Sequence, residues 1–116
     1  MLARLAELRA EHGRLLDAEL ARLTEELRKR GARLVVLFGS LARGRRDLFT
    51  DIDLLVVLES REDFPRRLAR LYAELAPRVD ADILAYTPAE FERMKDEPFL
   101  RRVLAEGVVL HAEEPA

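Results

Sequence analysis

Two short stretches carry residues whose types and spacing suit chemistry. Gly39-Ser40 closes an apolar run, Leu34-Val35-Val36-Leu37-Phe38, and Asp51-Ile52-Asp53 opens a second, Leu54-Leu55-Val56-Val57. Residues i and i+2 of a strand leave from the same face. The carboxylates of Asp51 and Asp53 therefore stand side by side at the end of a strand that otherwise reads as buried. Like charges that close repel, and raise one another's pKa, unless a cation lies between them. An oxygen-only pair suits a hard ion such as Mg²⁺. Gly39 lets the backbone turn sharply and come close to a ligand. Ser40 follows at a helix start, where free N–H groups favour phosphate. A phosphate cradle facing a Mg²⁺-binding carboxylate pair is the minimum equipment for nucleotidyl or phosphoryl transfer.

Gly-Ser or Asp-x-Asp alone would be a weak signal; both at strand ends at this spacing make a strong one. Leu37-Phe38-Gly39-Ser40-Leu41-Ala42-Arg43-Gly44, followed by Thr50-Asp51-Ile52-Asp53-Leu54-Leu55-Val56, resembles the minimal nucleotidyltransferase (MNT, MntA-like) group of the polymerase-β-type nucleotidyltransferases. The resemblance spans about residues 20 to 112. Thr50 stands where relatives carry serine, and both side chains offer a hydroxyl.

The resemblance implies an α/β fold, a small mixed β-sheet covered by helices, and a third acid on a neighbouring strand. That acid completes the metal site or takes the proton from the attacking hydroxyl. Val79-Asp80-Ala81-Asp82-Ile83-Leu84-Ala85-Tyr86, then Thr87-Pro88-Ala89-Glu90-Phe91, points to Asp82. Asp80 shares its face and is the alternative, and a third reading has both acids merely solvating a strand end. Asp51, Asp53 and Asp82 are thus the expected catalytic and Mg²⁺-binding residues. Gly39, Ser40 and Arg43, which matches the family's Ala-Arg-Gly, are the expected nucleotide-binding residues. Arg45 and Arg46 either clamp a triphosphate or are loop charges. ATP as substrate comes from the family alone. So does the implied partner, a small helical HEPN ribonuclease toxin that receives AMP on a tyrosine, with this chain as antitoxin. Two rivals stand beside it: an antitoxin that only binds, and a transferase acting on a small molecule, against which the lack of an acceptor domain counts.

The elements that must position these residues read as follows. Leucines at 5, 8, 16, 20, 23 and 27 give residues 2–30 the spacing of an amphipathic helix. Gly13 loosens it near the middle and Gly31 stops it. Either the stripe simply covers the sheet, or its first half, to about Leu16, extends beyond the domain and packs on a partner. Strands are expected at 33–38, 51–58, 79–86 and 108–111. Ser60 to Asp63 hold helix N-cap signals, and a helix over 64–76 turns Leu68, Leu71, Tyr72 and Leu75 inward until Pro77 ends it. A β–α–β crossover of this length implies a parallel strand after it. Thr87-Pro88-Ala89-Glu90 has the form of a capping box with proline at N1, which makes Glu90 structural. A last helix begins at Pro98 with Phe99, Val103 and Leu104 inward and closes at Gly107; residues 112–116 read as a frayed tail. His12 and His111 have no partner at metal-ligand spacing, so both read as surface or packing residues.

The 116 residues suit one domain, with 1–30 as its N-terminal helix and 33–111 as its catalytic core, and 49% apolar content is that of a globular protein. No run is long enough for a membrane span. The charges in residues 1–30 exclude a secretory signal, so a cytoplasmic location is expected. The chain has no cysteine, which leaves no disulfide or thiolate chemistry. A net charge of −2 does not favour general affinity for nucleic acid. A module this small is expected to borrow its acceptor site from a partner or from a second copy of itself.

Overall fold

The computed structural model describes residues 2–113. Its elements run α1 (Leu2–Lys29), β1 (Leu34–Phe38), α2 (Gly39–Ala42), β2 (Ile52–Val57), α3 (Phe64–Leu75), β3 (Ala81–Tyr86), α4 (Pro88–Met94), α5 (Pro98–Glu106) and β4 (Val108–Ala112). The strands form one mixed sheet in the order β3-β2-β1-β4. β1 runs antiparallel to both β2 and β4, and β3 is parallel to β2, as a crossover through α3 requires. The expected tail residues 114–116 lie outside the described residues.

The alternation of side chains along the strands sorts them into two layers. Val35, Leu37, Ile52, Leu54, Val56, Ile83 and Ala85 pack against Leu16, Leu23 and Leu27 of α1 and Leu71 and Leu75 of α3. On the opposite face Val36, Leu55 and Tyr86 pack against Leu100 and Val103 of α5, with Phe91 and Met94 of α4 beside them. Asp53 and Asp82 have the parity of this second face, at the end that α4 and α5 leave open.

Several local signals act as their chemistry demands. Asp63 caps α3 by accepting from the Arg66 N–H, and Thr87 and Glu90 close a full capping box on α4. Leu68 and Tyr72 sit partly buried against the core. The phase of α5 differs from expectation. Leu100 and Val103 face inward, while Phe99 is 49% exposed and Leu104 40%. Choosing Phe99 as the anchor misplaces the apolar stripe by one residue, about 100° around the helix.

α1 is continuous through Gly13. At 28 residues it is about 42 Å long, and it sets the long dimension of a molecule measuring 51 × 29 × 27 Å. Its buried residues begin at Gly13. Residues 2–11 project past the core, with Leu2 81% exposed. The junction is anchored, because His12 Nε2 lies 3.1 Å from the Thr50 carbonyl and Arg46 donates to the Gly13 carbonyl at 3.0 Å. His12 thus has a packing role.

Two charged residues are buried without having been foreseen. Glu19, 3% exposed, accepts from Arg22 at 2.6 and 2.8 Å and from the Arg78 N–H, and Arg22 in turn donates to the Leu75 carbonyl. This ties α1 to the end of α3. Arg67, 1% exposed, donates to the carbonyls of Ala85 and Glu62 and to both carboxylate oxygens of Glu90. Its interior position on the otherwise apolar face of α3, in line with Leu71 and Leu75, is tolerable because nearly every donor is met. Among the described residues, no helix is long and apolar enough to cross a membrane.

Candidate active site

Asp53 lies in β2, paired with Phe38 across β1 and with Asp82 across β3. In a parallel pair, residues in register present their side chains to the same face, so Asp53 and Asp82 converge. Asp51 precedes Asp53 by two residues and shares its parity. Burial pushes the Asp53 carboxyl above the ordinary carboxylate range, and the negative charges of Asp82 and then Asp51 push it further. Arg43 is the cation that opposes them. Asp80 is exposed, and its carbonyl accepts from the Ile52 N–H at 3.0 Å. The ladder therefore sets Asp82, and not Asp80, opposite Asp53.

The edge strand β3 is held where Asp82 leaves it. The Tyr72 hydroxyl donates to the Ala81 carbonyl at 3.1 Å and accepts from the Ile83 N–H at 2.7 Å. Those backbone groups flank Asp82 on the free edge of the sheet.

Gly39 begins α2 with φ +73°. A Cβ at this position would lie 3.0 Å from Asp53 Cγ and overlap its Oδ2, so only glycine lets β1 turn against the carboxylate. Ser40 follows in the same turn, and its carbonyl accepts from the Arg43 and Arg45 N–H groups. The loop after α2 is internally fastened. Asp47 accepts from the Phe49 N–H and the Thr50 hydroxyl, and Arg45 pairs with Asp47 at 2.6 Å. Arg46 pairs with Asp17 of α1 at 2.6 Å. Arg45 and Arg46 are thus engaged in holding the loop, and Thr50 is buried within it.

Two clefts flank this end of the sheet, both walled by Phe38 and Phe99, whose rings meet edge to face at 5.9 Å. One, of about 180 Å³, is bordered by Gly39, Ala42, Arg43, Arg102, Val103 and Glu106. The other, of about 370 Å³, is bordered by Asp53, Asp82, Leu68, Tyr72, Ile83 and Leu84. Arg102 and Tyr72 were not singled out from the sequence. Arg102 gave no signal among many arginines, and Tyr72 read as one more inward residue of α3.

The acids are oxygen donors of the hard type that Mg²⁺ prefers, and their mutual repulsion is what a cation relieves. Asp53 and Asp82 are the pair that comes together. Among the described residues, no three acidic or histidine side chains already stand as a cluster able to hold a metal ion. The converging carboxylates of Asp53 and Asp82 fit a divalent cation that draws its remaining ligands from phosphate and water.

A model of the nucleotidyltransferase domain family matches residues 20–112. None of the curated proteins compared matches the chain. Among solved structures the fold is similar to a chain in the crystal structure of a mutant of the toxin-antitoxin MntA-HpeT. The two are 22% identical with a TM-score of 0.54, over 84% of this chain and 73% of that one. The mixed sheet with helices on both faces and a long N-terminal helix is the polymerase-β-type nucleotidyltransferase fold.

Proposed function

The chain belongs to the nucleotidyltransferase domain family, and from that premise we propose that residues 33–111 act as a protein adenylyltransferase. It moves AMP from ATP to a tyrosine hydroxyl of a HEPN-type toxin and so serves as the antitoxin of the pair. The observation that carries the transfer chemistry is the register pairing of Asp53 with Asp82 beside the Gly39 turn. The likeness of fold to a chain of a toxin-antitoxin supports the choice of partner.

Asp51, Asp53 and Asp82 are the residues that would hold Mg²⁺, which when bound neutralises charge on the phosphates and on the leaving group. Gly39 and Ser40 bring backbone close to the β- and γ-phosphates, and Arg43 supplies a cation beside them. Asp82 accepts the proton of the acceptor hydroxyl. The acceptor oxygen bonds the α-phosphorus as the bond from that phosphorus to the bridging oxygen breaks, and pyrophosphate leaves with that oxygen. The residues mainly position the reactants.

The projecting start of α1 offers Leu2, Leu5 and Leu8 for contact with the partner. Incubation with α-labelled ATP, Mg²⁺ and the protein encoded beside it tests the reading. Label on the partner, lost in Asp51→Asn/Asp53→Asn, is the expected result. A tight complex that never takes label would replace catalysis with a purely binding antitoxin.

A further inference from the structure

We infer that Arg102 of α5 is a second phosphate-binding residue, facing Arg43 across the smaller cleft, and that this cleft takes the polyphosphate tail of the nucleotide; the inference rests on the nucleotidyltransferase reading above. The Phe38–Phe99 pair walls both clefts, and the charged side chains sort by sign across it. Asp53 and Asp82 border one side with no basic residue. Arg43 and Arg102 border the other, with Glu106 as the single acid.

Most basic side chains near the core are already engaged. Arg45 and Arg46 hold the loop, Arg67 is locked to Glu90, and Arg22 to Glu19. Among the described residues neither Arg43 nor Arg102 is in a salt bridge, and Glu106, one turn from Arg102, does not pair with it. Two guanidinium groups left free at the mouth of one cleft, which begins at the Gly39 turn, suit the planar, multidentate recognition of phosphate oxygens. A triphosphate laid across the Phe38–Phe99 wall meets acids, through a cation, at its α-phosphate end and arginines at its terminal phosphates. The segment after the acids thereby contributes to nucleotide binding, a role that the Gly-Ser turn alone does not fill.

Titration calorimetry of the full chain in Mg²⁺, with ATP and with inorganic tripolyphosphate, tests this. Arg102→Ala is expected to weaken both ligands by about tenfold or more. Arg102→Lys should recover part of the loss, and Glu106→Gln should leave binding unchanged or tighten it. Equal ATP affinity in wild type and Arg102→Ala would overturn the inference while leaving the nucleotide reading intact. Loss for ATP without loss for tripolyphosphate would also overturn it, by placing Arg102 on the nucleoside. Weaker ATP binding in Glu106→Gln would mean that the cleft holds the base. A wild-type chain that binds no ATP–Mg²⁺ would sink the nucleotide reading itself, and the inference with it.

Discussion

Asp53 and Asp82 are register partners across the parallel β2–β3 ladder, so two carboxylates 29 positions apart in the chain share one face and one cleft. That face is apolar deeper in, and the burial of Asp53 there raises its pKa along with the charge of Asp82. Such a pair destabilises the fold that contains it unless a cation is added. Asp53→Asn is therefore expected to keep or raise the melting temperature while abolishing transfer. Thermal melts beside the label assay check both halves, and a marked drop in stability would show that Asp53 is a structural ligand instead.

Gly39 is the complement of that carboxylate. Gly39→Ala must place a Cβ against Asp53 and an L-residue at φ +73°. A stability loss of more than about 1 kcal/mol is expected, together with loss of Mg²⁺-dependent ATP binding. Denaturant titration and calorimetry read the two effects separately.

Tyr72 acts on the site through the backbone. Tyr72→Phe removes the hydroxyl that ties Ala81 and Ile83 on either side of Asp82, leaving the edge of β3 free to shift. Stability should fall by about 1–2 kcal/mol, and kcat should fall more than KM rises, since ATP contacts are untouched. A variant with unchanged kcat would show that Asp82 is held by the ladder alone.

Arg67 and Glu90 form an ion pair whose arginine has no route to water. Hydrogen bonding from Arg67 holds the Glu90 carboxyl below its ordinary range, and its bond to the Thr87 N–H adds to this. A depressed folded-state pKa stabilises above the unfolded value and loses that stabilisation as pH falls through the folded one. Acid unfolding of the wild type is thus expected to steepen below the normal glutamate range, and Glu90→Gln should flatten that part of the profile. Arg67→Leu at neutral pH should cost about 3 kcal/mol, measured by urea titration. A cost near zero would mean that Glu90 turns outward to solvent without penalty.

The start of α1 makes the opposite kind of prediction. None of residues 2–12 is buried, and the anchors at His12, Gly13 and Asp17 lie beyond residue 10. Deleting residues 1–10 should leave the melting temperature within a few degrees of wild type while weakening capture of the proposed toxin partner. Unchanged capture would remove this helix end from the proposed interface.

Local chemistry carried much of this architecture into the sequence itself. Continuous apolar runs located β1 and β2, and period-3.6 apolar spacing located the helices, because a central strand is buried on both faces and a helix on one. The Thr87–Glu90 capping box and the Asp63 cap were legible because caps are satisfied within four residues. Asp51-x-Asp53 and Gly39-Ser40 were legible for the same reason, since i and i+2 geometry and a glycine turn need no distant partner. What lay beyond reach depended on register and packing. Asp80 and Asp82 have the same parity, and only the pairing of Ile52 with Ala81 sets Asp82 opposite Asp53. The one-residue phase error in α5 arose because Phe99 and Leu100 are both apolar, and only the sheet surface decides which is covered. Glu19 and Arg67 read as solvated helix charges, since their partners lie at Arg78, Ala85 and Glu90, on other elements. Residue types and short spacings thus determined what chemistry the chain can attempt. The pairing of distant backbone groups decided which side chains meet to attempt it, because long-range register is an energy of the whole sheet and is written in no single segment.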